Sequence, residues 1–152
     1  MDTIKELREE TGLSFAQIKK ALDEAHGDKE QARKVLSAFS SEQAEKKADR
    51  ELGAGVIASY VHSSGTIGVL LELACETDFV AKNEEFKALA KDIAMHVCAM
   101  SPETVDGDGE TALMKQAFIK EPEVTVEQKI QSAIQKFGEN TKVTRFTRYS
   151  IM

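Results

Sequence analysis

An α+β fold follows from three features of the sequence. Apolar residues recur at helical spacing over the first forty positions, an apolar set at period two runs from Ile67 to Cys75, and the tail TKVTRFTRYSIM is rich in β-branched and aromatic residues. Together they predict an N-terminal three-helix module, a helical connector, and a small three-stranded antiparallel sheet packed with helices. The divisions fall at 1–39 for the module, 40–54 for the connector and 55–152 for the α+β core.

Ile4 and Leu7 mark a first helix that stops near Thr11-Gly12. Ser14 caps the second, in which Phe15, Ile18, Leu22 and Ala25 share a face until Gly27 supplies a left-handed stop. Asp28 followed by Gln31 resembles a capping box for the third, with Ala32, Val35, Leu36 and Phe39 facing inward. From Ser40 to Arg50 the sequence SSEQAEKKADR holds helix formers but almost no large apolar residue, so a helix there is expected to connect without burying a face.

Gly53 and Gly55 break that pattern, and GVIASYVH and TIGVLLELACE, separated by SSG, read as a hairpin. Ile67, Val69, Leu71, Leu73 and Cys75 give the second strand one buried face. Asn83 caps a helix carrying Phe86, Leu89, Ile93, Val97 and Met100, which should cover the sheet and end at Ser101-Pro102. SPETVDGDGET is the one evident loop of the second half. Thr125 with Gln128 forms a capping box for a helix bearing Val126, Ile130, Ile134 and Phe137 and stopped by Gly138. A two-stranded hairpin is weak alone, so the tail should pair onto it as a third strand.

At 152 residues the chain is about one domain long, with 41% hydrophobic and 30% charged residues, a composition that favours a folded chain over disorder. Its net charge is −6, from 20 Lys and Arg against 26 Asp and Glu, with no basic stripe to displace counterions, so direct nucleic-acid binding is not expected. MDTIKELREETGLS lacks a basic flank followed by an apolar run, and no stretch approaches eighteen apolar residues, which predicts a cytoplasmic protein without a membrane anchor. Cys75 and Cys98 show no C-x-x-C pairing and read as buried, reduced thiols.

Chemistry-bearing motifs are missing. There is no G-x-S-x-G, no phosphate-binding loop and no G-x-G-x-x-G, and Gly107-Asp108-Gly109 is not followed by Lys-Ser or Lys-Thr. His96 and Cys98 lie two apart on a helix and diverge, while His26 and His62 sit on unrelated elements, so no metal site is expected. His96 reads instead as a histidine at the edge of the core face and His62 as a polar residue ending a strand. Asp106, Asp108 and Glu110 lack the remainder of a calcium loop and read as solvated. No cofactor and no bond-making active site follow.

The stretch CETDFVAKNEEF, Cys75 to Phe86, stands out. Thr77 suits the cap of a short helix and Asp78 its positive N-terminal end. Phe79 and Val80 are adjacent, about 100° apart on a helix, so both enter a core only at a broad contact. Pattern alone favours core packing for Phe79, because large aromatics are mostly buried. The other reading is an aromatic anchor for a partner's pocket.

KELREETGLSFAQIKKALDEAHGDKEQA, the connector AEKKADR, CETDFVAKNEEF with KDIAMHV, and the tail blocks FIKEP, TVEQ, KFGEN and VTRFTRY together resemble bacterial translation elongation factor Ts over nearly the whole chain. The resemblance implies a guanine nucleotide exchange factor for elongation factor Tu, with an N-terminal ubiquitin-associated-like (UBA-like) bundle that docks on the GTPase domain. It implies that Thr77, Asp78, Phe79 and Val80 enter near the partner's magnesium site, Phe79 wedging between partner helices and Asp78 helping to shift the groups that hold magnesium. Family contacts map further onto Lys19, Lys47, His62, Phe137 and Gly138, with Phe137 standing where an aliphatic residue is commoner. Many members carry two copies of the α+β unit and a coiled-coil insertion. This chain has room for one unit, like the short form, which implies a homodimer through the sheet domains.

Two other classes stand beside this one. A binding adaptor would use the UBA-like module without accelerating nucleotide release, and a small-molecule enzyme would need a deep polar pocket.

Overall fold

The computed structural model describes residues 2–151. Helices α1 (Asp2–Thr11), α2 (Phe15–Glu24) and α3 (Lys29–Lys47) come first. Ser14 and Gln17 form a full capping box on α2, whereas Asp28 caps α3 by accepting from the Gln31 amide alone. Leu7, Leu13, Ile18, Ala21, Ala32 and Leu36 close a small core of their own. Arg33 on α3 ties back to Glu10 of α1 at 2.7 Å and holds that carboxyl below its ordinary range. Phe15, expected inward, is instead exposed. Phe39 is half-buried, with the Lys20 ammonium 5.3 Å from its ring centre.

Helix α3 continues without a break through Ser40 to Lys47. The expectation that this stretch buries no face is corrected here. Ser40 is 3% exposed and bonds through Oγ to Gln135, and Ala44 packs on the main core. Small side chains let α3 lie close against α6 (Val126–Phe137), where large apolar residues would have held it off.

Strands β1 (Ala54–Val61) and β2 (Ile67–Cys75) form the hairpin, with Ala54 opposite Cys75 and Val61 opposite Gly68. At Gly55 a side chain would fall 2.6 Å from the Leu73 carbonyl oxygen, so only glycine permits this close pairing. Strand β5 (Lys142–Ser150) adds antiparallel to the other edge of β2, giving the order β1-β2-β5. Val69, Leu71, Leu73 and Cys75 are buried beneath α5 (Glu84–Met100), which covers one face of the sheet as expected.

A second hairpin, β3 (Ala117–Phe118) with β4 (Glu121–Thr125), was not foreseen, because β3 is two residues long and Pro122 argues against a strand. It carries Phe118, 1% exposed, onto His96 of α5. His96 is therefore not at the edge of the core face but fully buried. Its Nδ1 accepts from the Ile119 amide at 3.1 Å, which places the proton on Nε2, 2.9 Å from the Gln116 side-chain oxygen. Burial pushes its pKa down, against the opposing bond to Gln116.

Candidate functional site

Helix α4 (Asp78–Ala81) is a single turn set between two N-caps. Thr77 is extended, and its Oγ1 accepts from the Val80 amide at 3.4 Å. Asn83 then closes α4, its amide donating to the Val80 carbonyl, while its side chain caps α5 by accepting from Glu85 and Phe86. Val80 and Ala81, each 4% exposed, face the core. That leaves Phe79 on the outer side, 87% exposed, beside exposed Asp78. The reading that pattern alone favoured, Phe79 in the core, is thus overturned. A one-turn helix has one inward side, and Val80 occupies it.

The turn is held from behind. Glu139, in the turn after α6, accepts from the Glu76 and Thr77 amides on Oε1 at 3.1 and 3.0 Å and from Thr77 Oγ1 on Oε2 at 2.6 Å. Glu76 returns a contact by accepting the Asn140 amide at 2.7 Å and lying 3.6 Å from the Arg50 guanidinium. Asn140 donates from its side chain to the Arg50 carbonyl at 2.9 Å and to that of Ala48 at 3.4 Å. Arg50 itself reaches the Gly138 carbonyl. The end of α3, the β2–α4 turn and the α6–β5 turn are thereby tied together. Beneath them Cys75 donates through its thiol to the Thr77 carbonyl, and burial, with Glu139 nearby, pushes its pKa up. Both cysteines are free and buried.

Of the residues singled out in the sequence, the structure gathers Thr77–Val80, Phe137, Gly138 and Lys47 at this end. Gly138 is the left-handed cap of α6 at φ 75°. Phe137 is half-buried and meets Phe86 edge-on at 5.9 Å, so it supports the turn from within. Lys47 ends α3, its carbonyl accepting from the Arg50 amide. His62 lies at the opposite end of the sheet, eight residues along the strand from Ala54, or roughly 27 Å at the usual rise. It is exposed and sits 3.4 Å from the Tyr60 hydroxyl. Lys19 is exposed on α2. Glu139, Asn140 and Arg50 went unread in the sequence, since their bonds span 62 to 92 residues and leave no periodic trace.

A cleft of about 780 Å³ opens between Ile4, Arg8 and Phe15 on one side and Glu85 and Lys136 on the other. Its polar lining is long charged surface chains, without a Ser, Cys or His to serve as nucleophile or base. Among the described residues no three His, Cys, Asp or Glu converge on a common point, and no helix is long and apolar enough to cross a membrane.

The sheet face away from α5 is open. Ile57 and Val61 of β1, Leu70 of β2 and Tyr149 of β5 lie on it, each between 55% and 75% exposed. Glu72 and Arg145, paired opposite each other, cross its middle.

Residues 14–109 match the family model described as Elongation factor TS. Among curated relatives, elongation factor Ts of Thermosipho melanesiensis is 41% identical over 97% of this chain and 96% of its own. That of Fervidobacterium nodosum is 40% identical over 97% and 95%, and that of Carboxydothermus hydrogenoformans 37% over 97% and 87%. Each alignment runs to 188 positions against 152 residues here, so at least 36 are filled by the relative alone.

Proposed function

Because the chain belongs to the elongation factor Ts family of translation elongation factors, we propose that it promotes release of GDP from elongation factor Tu, with Phe79 as its probe. The observation that carries this is the exposure of Phe79, 87%, on a turn capped at both ends. An aromatic presented this way costs little to order on binding and dominates an interface when it fills a pocket. Phe79 wedges between partner helices, Asp78 beside it displaces groups that hold the magnesium, and GDP loses metal and phosphate contacts. The chain contributes no bond-making step and needs no cofactor of its own.

The thermodynamics fit such a device. A factor that binds the empty partner more tightly than the loaded one is weakened by GDP in the same ratio, so the two ligands expel each other. A ten-thousandfold effect needs about 5.5 kcal/mol of differential binding. One buried aromatic anchor at roughly 2 to 4 kcal/mol is a large part of it. In this reading residues 1–39 dock on the GTPase domain, with Lys19 at the contact, residues 40–54 connect, and residues 55–152 carry the probe, with Lys47, His62, Phe137 and Gly138 as further contact points. The test is release of GDP from purified elongation factor Tu with and without the chain. Acceleration by orders of magnitude supports the reading, and binding without acceleration replaces it with an adaptor.

The open sheet face supports a second part of the reading, a homodimer through the sheets. Ile57, Val61, Leu70 and Tyr149 would then be covered by their counterparts, and the apolar surface removed from water would drive association. Sedimentation at micromolar concentration should give twice the chain mass. A mass of 16.7 kDa would exclude the dimer.

A further inference from the structure

Helix α4 has only four residues, too few to hold a helical turn by its own hydrogen bonds, and the side chain that matters on it gains nothing from burial. What fixes the direction of Phe79 must lie in the turn's anchors. Behind it Val80 and Ala81 enter the core; ahead of it Glu76 and Thr77 are held by one carboxylate from 62 residues away.

We propose that Glu139 is a positioning residue for the exchange motif, its carboxylate clamping Glu76 and Thr77 so that Phe79 stays pointed away from the core. The chemistry lies in the Thr77 hydroxyl. It has one proton, and Glu139 Oε2 takes it at 2.6 Å, which leaves the oxygen's lone pairs free to accept the Val80 amide. Glu139 therefore sets the polarity of the cap as well as its place. Oε1 meanwhile satisfies two backbone amides that the strand's end would otherwise leave without acceptors. Bonds to an ionised acceptor are about twice as strong as neutral ones, and three converge here. Asn140, next in sequence, bonds to the connector end and to Glu76, so the clamp is braced by a second pair of bonds.

This inference rests on the exchange reading for its functional consequence, but the clamp is testable on the free protein. Glu139→Ala removes all three bonds. Glu139→Gln keeps an acceptor for the two amides and loses the one for the hydroxyl. Amide hydrogen exchange followed by nuclear magnetic resonance on the full chain should show Val80, Ala81 and Lys82 exchanging about ten- to a hundredfold faster in Glu139→Ala, with Leu71 and Thr147 in the sheet unchanged and Glu139→Gln in between.

In nucleotide release at saturating chain, the maximal rate should fall roughly tenfold or more, with the half-saturating concentration moved far less. Protection at Val80–Lys82 equal to the parent's overturns the proposal. So does a loss spread evenly over turn and sheet, the mark of a general structural role. If Glu139→Ala does not fold, the same comparison is read from Glu139→Gln. A parent chain that fails to release GDP removes the exchange reading, and the amide data still decide the clamp.

Discussion

Phe79 and Phe86 stand seven residues apart in one motif and meet opposite surroundings. Phe86 opens α5, is 0% exposed and packs edge-on against Phe137; Phe79 rides on α4 and is 87% exposed. The two helices are neighbours, each with its own side-chain cap, and both lie over the same sheet. What differs is register. Asn83 starts a new helix with a new inward face, and Phe86 falls on it, whereas in α4 that side is taken by Val80 and Ala81. The chain thus uses two consecutive caps to send one aromatic inward for stability and another outward for contact.

The comparison breaks if the two residues answer to the same measurement. Phe86→Ala should cost about 3 to 5 kcal/mol of unfolding free energy, since it opens a cavity beside Phe137, and denaturant titration checks it. Phe79→Ala should leave that free energy within about 0.5 kcal/mol, yet reduce nucleotide release by the equivalent of roughly 2 to 4 kcal/mol. Equal losses of stability would mean that Phe79 packs after all.

A smaller effect sharpens the contrast between probe and surface. Leu70→Lys places a charge in the middle of the open sheet face, between Ser59 and Thr147, and should weaken a sheet-to-sheet dimer by about 2 kcal/mol. The readout is a shift in sedimentation toward the chain mass with the monomer's melting little changed.

The smallest effect concerns His96. It is neutral in the fold with its pKa lowered by burial, and the Ile119 amide points at the nitrogen that would take the second proton. The unfolded chain binds that proton as pH falls through about 6.5, the ordinary histidine value, while the folded chain does not. Stability is therefore full above that pH and declines below it. Melting temperature should drop between pH 7 and 5, and the slope should flatten in His96→Gln.

Local signals in the sequence were reliable where the physics is local. Ser14, Asp28, Thr77, Asn83 and Thr125 all cap the helices they precede, and Gly27 and Gly138 both adopt positive φ at helix ends. The three-stranded sheet and its covering helix were equally legible, because period two over Ile67–Cys75 has one reading once a hairpin turn precedes it. Phe79 was harder. Adjacent apolar residues on a four-residue helix do not say which one faces in, and the structure decides by seating Val80. The connector's buried face was hidden by size, since Ser40 and Ala44 bury little area and still bring α3 against α6. Glu139 was out of reach of any window, its partners lying across the fold.

The most direct test of the central claim is stopped-flow release of a fluorescent GDP analogue from elongation factor Tu, driven by the parent chain and by Phe79→Ala at matched folded concentration. An exposed probe predicts fast release with the parent and loss of most of the acceleration in a variant that melts at the parent's temperature. Equal acceleration by both would contradict it.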